Sequence, residues 1–460
     1  MINSILTNAK VSYIHLENFK SFKNATFDLR ATKKNAKKFA VIFGENGSGK
    51  STIIESISFL HELVQTRCTF QKFEHFVTLH SNENYEKLSP SIKLENFFSS
   101  LNDLYPSISN LLSEVRSIDS DGLLSLSFGF QLNEYEGEYI CTFDDEYITY
   151  ERMSYVLTGR KTVLWEISKE NFHIHPRLFS SNHNNYFSDV IEQALRYWGK
   201  HAFLALLNFE AEDKAVSFID EVFSPELKQI LSLFNSLNYS IKYWDSTKSY
   251  YNENYYLSDM RSGTISLKDQ TKLVLTEAAL TAFFRSIFTN IEKVFYKQEL
   301  SNSNINYELM VQKKTHGKII DIPMSQESSG TQELLSMLPY IVLALNGQIV
   351  FIDEFGTSLH EQLVPALIKA INENLSGQLI ITSHHLSILD QAGLNGDAFY
   401  YITSGQDNAK QIVCTTNIEQ RLHSSYNYRN RYLTRNEYHL QQIHNCDESY
   451  INFDYFIHKN

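Results

Sequence analysis

Cysteine is scarce in this chain and scattered. Cys68, Cys141, Cys414 and Cys446 form no CxxC pair. That excludes a zinc ribbon and a disulfide framework, and points to a reducing compartment. Long apolar runs are missing too. The greasiest stretch, Leu334 to Ile352, is interrupted by Asn346, Gly347 and Gln348 and reads as a buried helix, a turn and a buried strand. No segment meets the requirement of a membrane span. The first ten residues hold neither a long apolar run nor a cleavage site, so no signal peptide is expected. Positive charge is in deficit, with 41 basic against 53 acidic residues and a net charge of −12. This argues against a surface that coats nucleic acid and leaves room for a local basic patch. A soluble, cytoplasmic protein with no membrane partner is expected. Apolar residues make up 43% and aromatics 13%, including 27 Tyr and 31 Phe, so most of the chain is expected to be ordered. With 460 residues it can bury a sizeable core unaided, as two to four domains or one large domain with an insertion.

Val11 to Leu29 reads as two strands joined around Asn18-Phe19-Lys20-Ser21-Phe22. The lysine-rich stretch Ala31 to Lys38 reads as an exposed loop. Phe39 to Phe43 is wholly apolar and reads as a buried strand. Ile53, Ile57, Leu60 and Val64 then share one helix face. Residues 66 to 118 look mainly helical, Leu123 to Ile167 alternates like strands, and 186 to 236 looks helical again. Ser258 to Gln298 reads as one more long helical stretch. From Ile305 onward the order becomes regular: helix Gln332 to Leu345, strand Ile349 to Ile352, helix His360 to Asn374, strand Leu379 to Thr382. A hairpin of Phe399 to Thr403 and Gln411 to Thr416 follows. Strands and helices alternating with short links predict an α/β fold with a mainly parallel sheet covered by helices.

Glycine is also sparse, yet three of 17 fall together in Gly44-Glu45-Asn46-Gly47-Ser48-Gly49-Lys50-Ser51. This fits the phosphate-loop pattern, between a buried strand and a helix as the mechanism requires. The backbone N–H groups and helix N-terminus face phosphates, Lys50 reaches the β- and γ-phosphates, and the Ser51 hydroxyl holds Mg²⁺. ATP and Mg²⁺ are therefore the expected cofactors, with residues 44 to 51 and Thr52 as contacts.

The strand Ile349 to Ile352 ends in Asp353-Glu354. A carboxylate at the C-terminal end of a buried strand beside a phosphate loop is placed to hold Mg²⁺, the role assigned to Asp353. Glu354 suits the general base that polarises the attacking water. Glu327-Ser328-Ser329-Gly330-Thr331-Gln332 opens the helix just before that strand. Ser328 or Ser329 suits an N-cap, with Gln332 and Glu333 in the first turn; alternatively, Ser329 and the Gly330 N–H bind a γ-phosphate. The strand Leu379 to Thr382 runs into His384, which is either a plain strand-end residue or one placed to sense a γ-phosphate and orient water. Neither His360 nor His385 has a metal-ligand spacing.

Taken together, these motifs resemble an ABC-type ATPase head of the SMC and RecF kind. Asn46-Gly47 in the phosphate loop is typical of that group. Ser328-Ser-Gly-Thr-Gln332 resembles its signature motif, Glu354-Phe-Gly-Thr-Ser-Leu-His360 its D-loop, and His384 falls where the switch histidine is expected. Asn18-Phe-Lys-Ser-Phe22 resembles the opening strand whose basic residue, here Lys20, helps bind nucleotide. More narrowly, the signature wording, the Ser-Leu-His D-loop and Tyr432-Leu-Thr-Arg435 resemble bacterial defence ATPases of the overcoming-lysogenization-defect superfamily, as in abortive-infection, Septu, PARIS and retron systems. Thr331 departs from the second glycine of many relatives. The resemblance implies Mg-dependent ATP hydrolysis with catalytic Glu354 and His384, an ATP-dependent head-to-head dimer or larger homo-oligomer with Ser329 acting in trans, and a separate effector such as a nuclease. It further implies an ATPase head split between residues 1–66 and 318–420. Between them lies an insertion, 67–317, with an antiparallel β lobe at about 120–170 and a helical arm, and a C-terminal extension follows at 421–460.

A fused nuclease is not expected: Asp119-Ser-Asp121-Gly122 reads as a turn, and Asn182-His183-Asn184-Asn185 has no metal cluster beside it. The aromatics Tyr239, Tyr243, Trp244, Tyr250, Tyr251, Tyr255 and Tyr256 could stack bases, anchor a partner, or pack as a hairpin on the helical insertion. Arg421, Arg429, Arg431 and Arg435 could meet DNA phosphates or an acidic partner. Two other functions stay open: a RecF-like DNA-repair ATPase acting directly on DNA, and an assembly platform with a slow ATPase.

Overall fold

The computed structural model describes residues 9–32, 35–81, 107–117, 120–180, 184–251, 257, 259–301, 303–391, 393–404, 409–418 and 427–434. The expectations for residues 1–8, Lys33, Lys34, 82–106, Asp119, His183, Tyr255, Tyr256, Arg421, Arg435 and Cys446 lie outside these. The chain opens with β1 (Lys10–Phe19), β2 (Phe22–Asp28), β3 (Arg30–Thr32), β4 (Asn35–Ala36) and β5 (Phe39–Phe43). Helices α1 (Lys50–Ser81) and α2 (Ile108–Val115) precede β6 (Leu124–Leu132), β7 (Tyr135–Phe143), β8 (Ile148–Leu157), β9 (Arg160–Ser168) and β10 (Phe172–Ile174). Next come α3 (Asn184–Tyr197), α4 (Phe203–Asp213), α5 (Val216–Val222), α6 (Pro225–Asn235) and the hairpin β11 (Leu237–Lys242), β12 (Thr247–Tyr250). Then follow β13 (Ser262–Ser266), α7 (Gln270–Ile287), β14 (Ile291–Ser301), β15 (Asn304–Thr315) and β16 (Lys318–Pro323). The last elements are α8 (Ser329–Leu345), β17 (Ile349–Ile352), α9 (Leu363–Asn374), β18 (Gln378–Thr382), β19 (Phe399–Ser404), β20 (Lys410–Cys414), α10 (Thr415–Ile418) and α11 (Tyr428–Thr434).

A seven-stranded sheet in the order β12-β11-β17-β18-β5-β19-β20 carries the motifs. Its five inner strands are parallel, and β12 and β20 are antiparallel edges. This is the expected α/β fold with a mainly parallel sheet. A second, antiparallel seven-stranded sheet runs β10-β9-β8-β7-β6-β1-β2, so the two N-terminal strands join those read around residues 123 to 167. The parallel sheet divides two cores. Ala40, Ile42, Phe351 and Ile380 face one core, with α1, α4, α6 and the antiparallel sheet. Phe39, Val41, Phe43, Val350 and Ile352 face the other, with α7, α8 and α9. Strands buried on both faces explain why these runs are continuously apolar instead of alternating.

Three expectations need correction. Ser258 to Gln298 is not one helix: β13, α7 and β14 occupy it, and β13 to β16 form a third, four-stranded antiparallel sheet. The stretch 31 to 38 is not simply a loop, because β3 and β4 pair there. Lys37 Nζ bonds the Tyr400 hydroxyl at 2.6 Å, and Lys38 Nζ reaches the Leu375 carbonyl at 3.3 Å. The aromatic hairpin β11–β12 extends the parallel sheet beside β17, with Tyr239 and Tyr250 packed around His61 of α1. At its tip Trp244 remains 96% exposed. Arg429 pairs with Glu361 and Asp390 of its own chain. Among the described residues, no helix is long and apolar enough to cross a membrane.

Candidate functional site: a phosphate loop facing paired carboxylates

The loop between β5 and α1 is built for close approach. Gly49 has φ +108°, and a Cβ there would lie 2.6 Å from Ser21 Oγ, because the β1–β2 turn packs against the loop. Such a φ is open to glycine and strained for other residues. The Lys50 amine folds back onto the loop, donating to the carbonyls of Gly44 at 2.8 Å and Glu45 at 3.0 Å. Burial pushes its pKa down, and Asp353, Glu354 and Glu45 oppose that shift. A second amine, Lys410 of β20, donates to the Gly47 carbonyl at 2.6 Å. The Ser48 hydroxyl is buried with no hydrogen-bond partner, and Thr52 is buried in α1.

Asp353 and Glu354 leave the C-terminal end of β17. The Thr382 hydroxyl joins them: it donates to Asp353 Oδ1 at 2.5 Å and accepts the Glu354 N–H at 2.8 Å. Burial pushes the Asp353 carboxyl above its ordinary range, while the Thr382 and Ser51 hydroxyls pull it back. Its Oδ2 is buried without a well-formed hydrogen bond. An orphaned carboxylate oxygen beside a serine hydroxyl, at the mouth of a phosphate loop, fits a hard divalent cation that takes its other ligands from phosphate and water. Among the described residues no group of three or more His, Cys, Asp or Glu is arranged to hold a metal ion.

Glu354 adopts φ +51°, an uncommon conformation for a non-glycine residue. Its side chain is half-buried. His384 is exposed, and burial and the nearby Lys50 charge lower its pKa while Asp353 raises it. Its neighbour His385 instead bonds the Gly356 carbonyl through Nε2 at 2.6 Å. Ser328 is the N-cap of α8, accepting from the Thr331 N–H at 3.3 Å. Gln332 Nε2 holds the carbonyls of Ser325 and Glu327. Ser329 is exposed and opens, with Asp353, Glu354, Lys242 and Ser358, onto a cleft of about 650 Å³. Lys20, also at positive φ, gives its amine to Glu55 Oε1 at 2.7 Å, which also receives the Tyr243 hydroxyl at 3.3 Å. The amine of this turn lysine is thus held by a carboxylate of α1. Sequence reasoning did not bring Thr382 or Lys410 to the site, nor set the β11–β12 hairpin beside β17. Each reaches the site through sheet order and carries no local motif.

Comparison with known proteins follows the same lines. A family model described as "AAA domain, putative AbiEii toxin, Type IV TA system" matches residues 39–390, well over half of the chain. The chain belongs to that family. It is 32% identical over 113 residues to the chromosome partition protein Smc of Methanococcus voltae. That match takes in 24% of the chain and only 9% of Smc, so the chain spans a small part of that relative's length. Among solved structures it is similar to the Smc head domain of Pyrococcus furiosus, bound to the C-terminal domain of ScpA. The identity is 15%, the coverage 88% of this chain and 96% of that one, and the TM-score 0.39. The recombination mediator RecF in its ATP-bound form is similar at 11% identity, covering 88% and 100%, with a TM-score of 0.34. At such scores the fold assignment rests on the sheet order above.

Proposed function

We propose that this AAA-family protein binds and hydrolyses Mg-ATP, and that it serves as the sensor and scaffold subunit of an anti-phage defence complex whose toxic effector is a separate protein. The observation that carries the ATPase reading is the orphaned Asp353 oxygen beside Ser51, facing the Lys50 amine across the phosphate loop. Lys50 and Lys410 exchange backbone carbonyls for phosphate oxygens when nucleotide enters. Ser51 and Asp353 would hold Mg²⁺, which when bound would supply charge neutralisation to the phosphates. Glu354 accepts the proton of the attacking water, and the neutral His384 imidazole orients it. Ser329 and the Gly330 N–H, on the exposed turn of α8, meet the γ-phosphate of a second copy. The family description, with its toxin–antitoxin wording, and the resemblance of the signature and D-loop support the defence role.

The test has two parts. Lys50→Ala is expected to abolish ATP binding, and Glu354→Gln to bind ATP while blocking turnover; unchanged turnover in Glu354→Gln would defeat the assigned role. Tagged Glu354→Gln protein, expressed with its neighbouring genes, is then captured with and without ATP and analysed by mass spectrometry. A stoichiometric nuclease-like or toxin-like partner supports the sensor role. Recovery of DNA alone favours direct action on DNA, and an oligomer that persists in Lys50→Ala favours a passive platform.

A further inference from the structure

The first turn of α8 grips the loop after Glu354 at two points. A Cβ on Gly330 would lie 2.8 Å from the Ser358 carbonyl, so the helix backbone rests directly on that loop. One turn on, Glu333 Oε2 accepts the Ser358 N–H at 2.5 Å. Its Oε1 lies 3.5 Å from Lys242 Nζ at the end of β11, and its side chain is only 11% exposed. The sequence suggests that Glu333 serves its own helix N-terminus. Ser328 performs that task, and the Glu333 carboxylate faces the neighbouring loop. The loop itself is held point by point. Thr382 fixes the Glu354 N–H, the Thr357 hydroxyl donates to the Glu354 carbonyl at 2.7 Å, and Gly356 O receives the Leu359 N–H and faces His385 Nε2. Thr382 and His385 act from the β18 side. Glu333 holds the loop from α8, the helix that carries Ser329.

We propose that Glu333 is a positioning residue for hydrolysis: by holding the Ser358 N–H it fixes the loop that presents Glu354, and Lys242 holds the Glu333 carboxylate in register. This rests on the reading of Glu354 as the general base. A carboxylate on a well-packed helix accepting a backbone N–H makes a strong, directional bond, and small misplacements of a catalytic group cost rate far more than affinity. The arrangement also couples α8 to Glu354 within one copy, so displacement of the Ser329 turn moves the hydrolytic carboxylate.

The test compares the full-length wild type with Glu333→Ala, Glu333→Gln and Lys242→Met. Turnover, equilibrium binding of a fluorescent ATP analogue and thermal melting are read on each. Glu333→Ala is expected to lower kcat on the order of tenfold, with Kd within about twofold and an unshifted Tm. Glu333→Gln keeps an oxygen for the Ser358 N–H and should retain kcat within about threefold, and Lys242→Met should fall between the two. Wild-type kcat in Glu333→Ala overturns the inference. So does a parallel loss of kcat, Kd and Tm that Glu333→Gln fails to rescue. If Glu333→Ala does not fold, a Lys242→Met enzyme with unaltered kcat overturns it instead. A wild type that binds ATP without hydrolysing it sinks the Glu354 assignment, and with it this one; active wild type with indifferent variants sinks this one alone.

Discussion

Two lysine amines close on the carbonyls of one short loop, and they differ in how they come to be there. Lys50 is part of the glycine-rich motif, and its place is fixed within a few residues of chain. Lys410 sits far along the sequence on β20 and reaches Gly47 only because β19 pairs with β5. Burial lowers its pKa, a sign that its charge is better served by an anion than by its present carbonyl. Lys410→Met should therefore weaken ATP binding about fivefold, or about 1 kcal/mol, the worth of one partly exposed charged hydrogen bond. Titration with a fluorescent ATP analogue measures it; an unchanged Kd would leave Lys410 only the task of bracing the loop. The same contrast separates what was legible in the sequence from what was not. Gly44 to Ser51 and Asp353-Glu354 are contiguous patterns and could be read. Thr382, which bonds both Asp353 and the Glu354 N–H, is an ordinary strand residue until β18 lies beside β17.

At the scale of elements, the misreading of 258 to 298 has a definite origin. Leu280, Phe284, Ile287, Ile291 and Val294 are spaced four, three, four and three apart, so a helical period runs unbroken through the turn between α7 and β14. Periodicity cannot show that Ile291 and Val294 face the core from a strand. Conversely, Ile349 to Ile352 and Leu379 to Thr382 were legible because strands buried on both faces are apolar at every position. At the junction between the two large sheets lies a buried polar side chain that no pattern announces. Gln378 on β18 is fully buried; its Oε1 accepts the Val11 N–H at 2.7 Å, and its Nε2 donates to Val11 O at 2.9 Å and Lys37 O at 2.8 Å. Gln378→Leu leaves those backbone groups buried and unpaired, which should cost about 2–4 kcal/mol. A lowered Tm, with weaker protease resistance of the antiparallel sheet, is the expected result; wild-type stability would show that the Gln378 bonds do not hold the sheets together.

Across the whole molecule, stability against pH is set by buried groups of opposite sign. Glu151 is fully buried in the antiparallel lobe and accepts from the Phe203 and Leu204 N–H groups at the start of α4, from Tyr139 and from Trp165. Burial raises its pKa from 4.5 to about 7. The folded state therefore holds its proton more tightly than the unfolded chain. The contribution is fully present below pH 4.5 and is lost as pH rises towards about 7, by up to about 3 kcal/mol. His61 and His201 are buried neutral, with pKa values depressed from 6.5 to about 4. Their contribution is present above pH 6.5 and is lost as pH falls towards 4, so the two effects oppose each other through the mildly acidic range. Glu151→Gln keeps an oxygen for the α4 N–H groups but removes the titration. Its Tm should fall more steeply than that of wild type between pH 6.5 and 4.5, and its deficit should be smaller at pH 8 than at pH 5. Parallel Tm profiles for the two proteins would mean that the unfolded chain matches Glu151's proton affinity, and acid sensitivity would then rest on the histidines alone.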